Sequence, residues 1–164
     1  MLKRPEVSAG YILRLVPAVA VLALLIPATA TATIVVQRSI MGVELGMTQA
    51  QVRGKLGRPA KVIQSKNDFG PYVEFRYAQT TVDFQGNESV TAIQTTSKTE
   101  RGPHGVGIGS TKAQVRAAVP GLKCEGTPAA GQCYVGKYLP GGRVTAFYFS
   151  GGKVDEVVLG YVID

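Results

Sequence analysis

Apolar and polar positions follow three different rhythms along this chain. From Leu15 to Ile26 the residues are apolar without interruption, behind a positively charged stretch from Met1 to Arg14 and ahead of the small residues Ala28-Thr-Ala-Thr-Ala32. That order is the grammar of an export segment, and cleavage after Ala30 or Ala32 suits a signal peptidase's need for small residues. An uncleaved anchor is the alternative. The uncharged stretch continues through Thr33-Ile-Val-Val36, so residues 15–36 are long enough for membrane association by a bilayer span, although Pro17 and Pro27 weaken a continuous helix. Positive charge before the run, with little after it, places the remainder outside the cytoplasm under either reading.

The second rhythm is helical and occurs twice. Gly42-Val-Glu-Leu-Gly-Met-Thr-Gln-Ala-Gln-Val-Arg53 aligns without gaps on Gly105-Val-Gly-Ile-Gly-Ser-Thr-Lys-Ala-Gln-Val-Arg116. In each copy a threonine, Thr48 or Thr111, can cap a helix, and a glutamine three residues on, Gln51 or Gln114, can close a capping box. Gly57 with Pro59 ends the first helix and Pro120-Gly121 the second. Helices of about two to three turns do not persist alone, so each must pack on something.

The third rhythm is the alternation of strands. Lys61–Ser65, Tyr72–Tyr77, Thr80–Phe84 and Val90–Thr95 follow the first helix, separated by turn residues. Val73, Phe75 and Tyr77 alternate with Tyr72, Glu74 and Arg76, which gives that strand one face for the helix and one for water or a partner. After the second helix come a hairpin framed by Cys124 and Cys133, then Tyr134–Tyr138, Val144–Phe149 and Lys153–Tyr161. The fold expected is α+β: two tandem repeats, each a short helical segment packed on an antiparallel β-meander, after an N-terminal hydrophobic helix. The corresponding divisions are 1–32 for the leader, 33–97 for the first repeat, 98–104 for a linker and 105–164 for the second repeat.

Composition narrows the function classes. In 164 residues, 45% hydrophobic and 18% charged with 20 glycines and 9 prolines, there is enough apolar material for a folded body and too much for a disordered chain. The net charge is +7, of which Lys3, Arg4 and Arg14 against Glu6 lie in the leader; the rest is scattered singly, without the dense basic block and stacking aromatics of a nucleic-acid site. Attraction to anionic lipid or cell wall fits that charge better.

Cys124 and Cys133 are the only cysteines, both in the exported portion, and the hairpin between them can bring them within disulfide range. A metal site is the alternative, but two thiols and the lone His104 do not fill a zinc shell without carboxylates.

The motif Gly46-Met47-Thr48, Val52 and Gly57-Arg58-Pro59 resembles the start of a repeat in the β-lactamase-inhibitor-protein-like group, which also holds the SmpA/OmlA small outer-membrane lipoproteins. The resemblance covers Ile40 to Asp164. It implies a helical layer on an antiparallel sheet, no cofactor, and work done by binding protein partners through the exposed sheet face and hairpin tips. With no cysteine at the cleavage site, the chain departs from the lipoprotein branch. In the inhibitor branch a hairpin carrying an acidic residue beside aromatics enters an enzyme's active site. Asp68-Phe69 with Tyr72 is the nearest equivalent, and a plain turn role for Asp68 is the other reading.

A search for catalytic chemistry finds little. His104 lies in the linker, as the only histidine available to a nucleophilic triad. Gly105–Lys112 matches neither the dinucleotide nor the Walker spacing, and its glycines suit a tight turn into a capped helix. Asp155-Glu156 are adjacent on a strand, where neighbours point to opposite faces. The expectation is therefore a non-enzymatic extracytoplasmic protein-binding module, inhibitor-like or for envelope assembly. Its contacts would come from Asp68, Phe69, Tyr72, Glu74, Arg76, Tyr134, Tyr138 and Tyr148. A membrane-anchored structural envelope protein without a specific soluble partner is the alternative.

Overall fold

A computed structural model describes residues 33–127 and 129–163. The expected N-terminal hydrophobic helix and the cleavage sites lie outside the described residues. Residues 33–36, read above as the end of a possible membrane span, belong instead to the folded body: Ile34–Val35 is strand β1, and Ile34 is fully buried. Among the described residues no helix is long and apolar enough to cross a membrane.

Strands β1 (Ile34–Val35), β2 (Ser39–Ile40) and β3 (Val43–Glu44) form a small antiparallel sheet. Helix α1 (Gln49–Leu56) follows, then β4 (Lys61–Asn67), β5 (Gly70–Arg76), β6 (Thr80–Gln85) and β7 (Ala92–Thr95). A 3-10 turn at Pro103–Gly105 leads to α2 (Lys112–Ala118), β8 (Lys123–Gly126), β9 (Gly131–Gly136), β10 (Arg143–Ser150) and β11 (Lys153–Tyr161). Both helices begin at capping boxes. The Thr48 hydroxyl accepts from the Gln51 N–H at 3.3 Å while the Gln51 side chain accepts from the Thr48 N–H at 2.8 Å, and Thr111 with Gln114 repeats both distances.

The expectation of an α+β chain divided into two helix-plus-meander repeats is overturned. Strands dominate the molecule, and β4 to β11 join in one eight-stranded antiparallel sheet of order β4-β5-β6-β7-β11-β10-β9-β8. The physical reason is the unpaired edge that each four-stranded meander would leave. β7 and β11 pair with one another along Ala92 to Thr95, setting Ile93 opposite Leu159 and Thr95 opposite Val157. Ile93, Val157 and Leu159 are fully buried, so the junction lies in the middle of a core shared by both halves.

That core lies on one face of the sheet. Phe75 and Phe84 meet there with ring centres 4.7 Å apart, with Phe147 also fully buried, and Val52 of α1 and Val115 of α2 close over it. Each such side chain stabilises the fold by roughly 1.5–3 kcal/mol through its burial. Arg53 of α1 lies 4.3 Å from the centre of the Phe75 ring. The small sheet completes the layer. Ile34, Ile40 and Val43 are fully buried, and the Gln37 N–H donates to the Thr145 hydroxyl of β10 at 2.7 Å.

Candidate functional site

The opposite face of the large sheet carries no such layer of helices among the described residues, although Tyr134, Val144 and Ala146 on it are buried. Register fixes its membership, since cross-strand partners share a face. One row across the sheet runs Lys61, Arg76, Thr81, Gln94, Val158, Ala146, Tyr134 and Lys123, and the next runs Ile63, Glu74, Asp83, Ala92, Gly160, Val144 and Gly136. Tyr72 stands opposite Gln85, and Tyr148 stands between Glu156 and Gln132.

The residues expected to bind a partner therefore divide cleanly. Tyr72, Glu74, Arg76, Tyr134 and Tyr148 all lie on this open face, on strands from both halves of the chain. Tyr138 is not at the end of a strand, as expected, because β9 stops at Gly136; it lies in the following loop and folds back until its ring centre is 4.7 Å from that of Tyr134. Its hydroxyl accepts from the Gln132 side-chain amide at 3.4 Å. Asp68 and Phe69 form the tip of the β4–β5 hairpin, where Phe69 is 54% exposed. The local turn hydrogen bond there belongs to Asn67, whose side-chain oxygen accepts from the Phe69 N–H at 3.0 Å.

The tyrosine end of the face is tuned by its neighbours. Burial, and then Glu125, whose carboxylate accepts from the Tyr134 hydroxyl at 3.2 Å, hold the Tyr134 phenol above its usual pKa. Burial and the nearby Tyr138 and Glu156 do the same to Tyr148. Burial and Asp155 raise Glu156. The alternation expected for Asp155 and Glu156 is broken by a bulge: Tyr148 pairs with Glu156 and Phe149 with Val154, which leaves Asp155 as the extra residue.

At the other end of the face, sequence reasoning named Tyr72, Glu74 and Arg76 but missed Asp83. Glu74 of β5 stands directly opposite Asp83 of β6. Like charges so placed destabilise a sheet. Glu74 is ion-paired with Arg76, whereas Asp83 accepts a hydrogen bond from the Gln94 side chain at 3.0 Å. Burial, with Glu74 beside it, pushes the Asp83 carboxyl up to about 6. Tyr72, Glu74, Asp83, Ala92 and Ile163 share in lining a hollow of about 270 Å³. A second hollow of about 260 Å³ lies between Arg76, Thr81, Gln94 and Glu156. The signal was present in Thr80-Thr-Val-Asp-Phe84, where Asp83 alternates with buried Val82 and Phe84, but only the β5–β6 register brings Glu74 to it.

Cys124 and Cys133 are joined in a disulfide across β8 and β9, with Cys133 fully buried. Such bonds form and persist in oxidising compartments. No group of three His, Cys, Asp or Glu residues able to hold a metal ion is found among the described residues. Gly107 explains part of the glycine-rich stretch without a nucleotide: a Cβ there would lie 2.5 Å from the Glu100 carbonyl oxygen.

No family model matches the chain, and no curated protein matches it. Among solved structures the chain is similar to an extracellular protein containing a SCP domain from Bacillus anthracis str. Ames, at 12% identity and a TM-score of 0.48. The similarity covers 71% of this chain and 44% of that one, so the chain spans less than half the length of that protein.

Proposed function

We propose that this is an exported, non-enzymatic protein-binding module whose open sheet face docks an extracytoplasmic protein. One observation carries the reading: Tyr72 at one end and Tyr134, Tyr138 and Tyr148 at the other gather on one face, while the exposed Phe69 and Tyr161 lie off it. Tyrosines suit an interface because each offers a large apolar ring and a polar tip. Tyr138 is 44% exposed, Tyr148 36% and the adjacent Leu139 64%, so apolar area remains for a partner to cover. The leader and the disulfide support export. An inhibitor-like or envelope-assembly role, as the motif around Gly46-Met47-Thr48 implies, is part of the proposal, and so is a contribution from the Asp68–Phe69 hairpin tip.

The test is affinity capture from secreted and envelope fractions by the wild-type chain and by Tyr72→Ala, Tyr148→Ala and Asp68→Ala variants. Loss of a captured protein in the two tyrosine variants supports the face. Retention of every captured protein in both removes it, and retention in Asp68→Ala alone removes the hairpin tip. Recovery of full-length chain in membranes, with no protein captured, would favour the anchored structural alternative.

A further inference from the structure

We propose that the hollow beside Tyr72 receives a lysine or arginine side chain of the docked protein, its aliphatic stem against Tyr72, Ala92 and Ile163 and its cation at the Glu74–Asp83 pair. The inference rests on the docking role of the open face and names the chemistry of what docks there. Three observations meet at this place. The hollow of about 270 Å³ is lined by Tyr72, Ala92 and Ile163, by the polar Asn67, Gln85 and Thr91, and by the two carboxylates, a mixture that suits a side chain with a hydrocarbon stem and a charged head. Its two carboxylates face each other across β5 and β6, an arrangement that an incoming cation relieves and that nothing in the packing of the core requires, since both lie on the face away from the core. From Arg38 onward the basic residues are scattered singly, so these two facing carboxylates make a local acidic centre that a basic side chain complements.

Other charged and titratable groups on this face are Lys61 on β4, Tyr72 and Arg76 on β5, Lys153 and Glu156 on β11, Tyr148 on β10, Tyr134 on β9, Tyr138 in the loop after it, and Lys123 with Glu125 on β8; β7 contributes only Ala92 and Gln94. Arg76 is engaged by Glu74 and does not bond to Asp83. Glu156, raised by burial and by Asp155, lines the other hollow rather than this one. With its carboxyl at about 6, Asp83 loses its charge in that range, and a seated cation is released as the pH falls through it.

Short random peptides displayed on phage are panned on the purified full chain at about pH 7.5 and counter-selected on its Tyr72→Ala and Tyr148→Ala variants, so that only face-dependent sequences remain. The expected result is enrichment of one lysine or arginine position. A synthetic peptide carrying it binds roughly tenfold more weakly at about pH 5 than at about pH 7.5, and Asp83→Asn weakens binding by about tenfold and removes the pH dependence. Face-dependent peptides without that enrichment, or with the same affinity for Asp83→Asn, overturn the proposal and leave the docking face standing. No face-dependent peptide at all overturns both.

Discussion

Replacing Asp83 by asparagine should make the protein more stable at neutral pH. The folded chain holds the Asp83 carboxyl at about 6 against an ordinary value of 3.8, first through burial and then through Glu74 opposite it. A carboxyl raised in the folded state binds its proton more tightly there than in the unfolded chain, so its ionisation works against folding. The cost is fully present above about 6 and disappears as the pH falls towards 4. Two pH units correspond to about 3 kcal/mol at 1.36 kcal/mol each, and partial exposure to solvent reduces that to about 1–2 kcal/mol. Asparagine keeps an oxygen to accept the hydrogen bond that Gln94 now gives to Asp83 at 3.0 Å, and it carries no charge. Thermal unfolding followed by circular dichroism should therefore show Asp83→Asn melting about 3–8 °C above the wild type near pH 7.5, with the difference closing near pH 4. Equal melting temperatures near pH 7.5, or a gain that persists near pH 4, would refute the reasoning.

Other expected outcomes concern the scaffold. Leu159→Ala, at the centre of the β7–β11 junction, should cost about 2–5 kcal/mol in urea unfolding and leave a single transition, because the two halves share one sheet. Two separate transitions would argue for independent halves. Thr48→Ala and Thr111→Ala should each cost about 1 kcal/mol by the same assay, since each hydroxyl accepts a helix N–H that nothing else takes up. Replacing Cys124 and Cys133 together by serine should cost about 2–3 kcal/mol from the entropy of the short loop they close, read as a lower melting temperature that dithiothreitol reproduces in the wild type.

Local signals in the sequence were legible and distant pairings were not. Thr48-x-x-Gln51 and Thr111-x-x-Gln114 mark both helix starts because a capping box is written in four consecutive residues. Lys153–Tyr161 is a strand with the bounds its pattern implies, and the alternation around Val73 and Phe75 separates the core face from the open one. The small sheet was hidden because Ile34-Val35-Val36 continues the N-terminal apolar run and reads as part of it. The joining of β7 to β11 links residues far apart in the chain, which no local pattern encodes. The Glu74–Asp83 pair joins consecutive strands, but it depends on the β5–β6 register, which the alternation alone does not fix. The bulge at Asp155 escaped because alternation assumes a regular strand.

The role of the open face is tested most directly by site-specific photocrosslinking in the exporting cell. A photoreactive residue is placed at Tyr72, at Tyr148, or at Arg116 on the exposed side of α2, and the cross-linked products are mapped by mass spectrometry. Docking on the open face predicts that positions 72 and 148 capture the same extracytoplasmic protein, through a segment bearing a lysine or arginine, while position 116 does not. Capture of that protein from position 116 and from neither face position would contradict it.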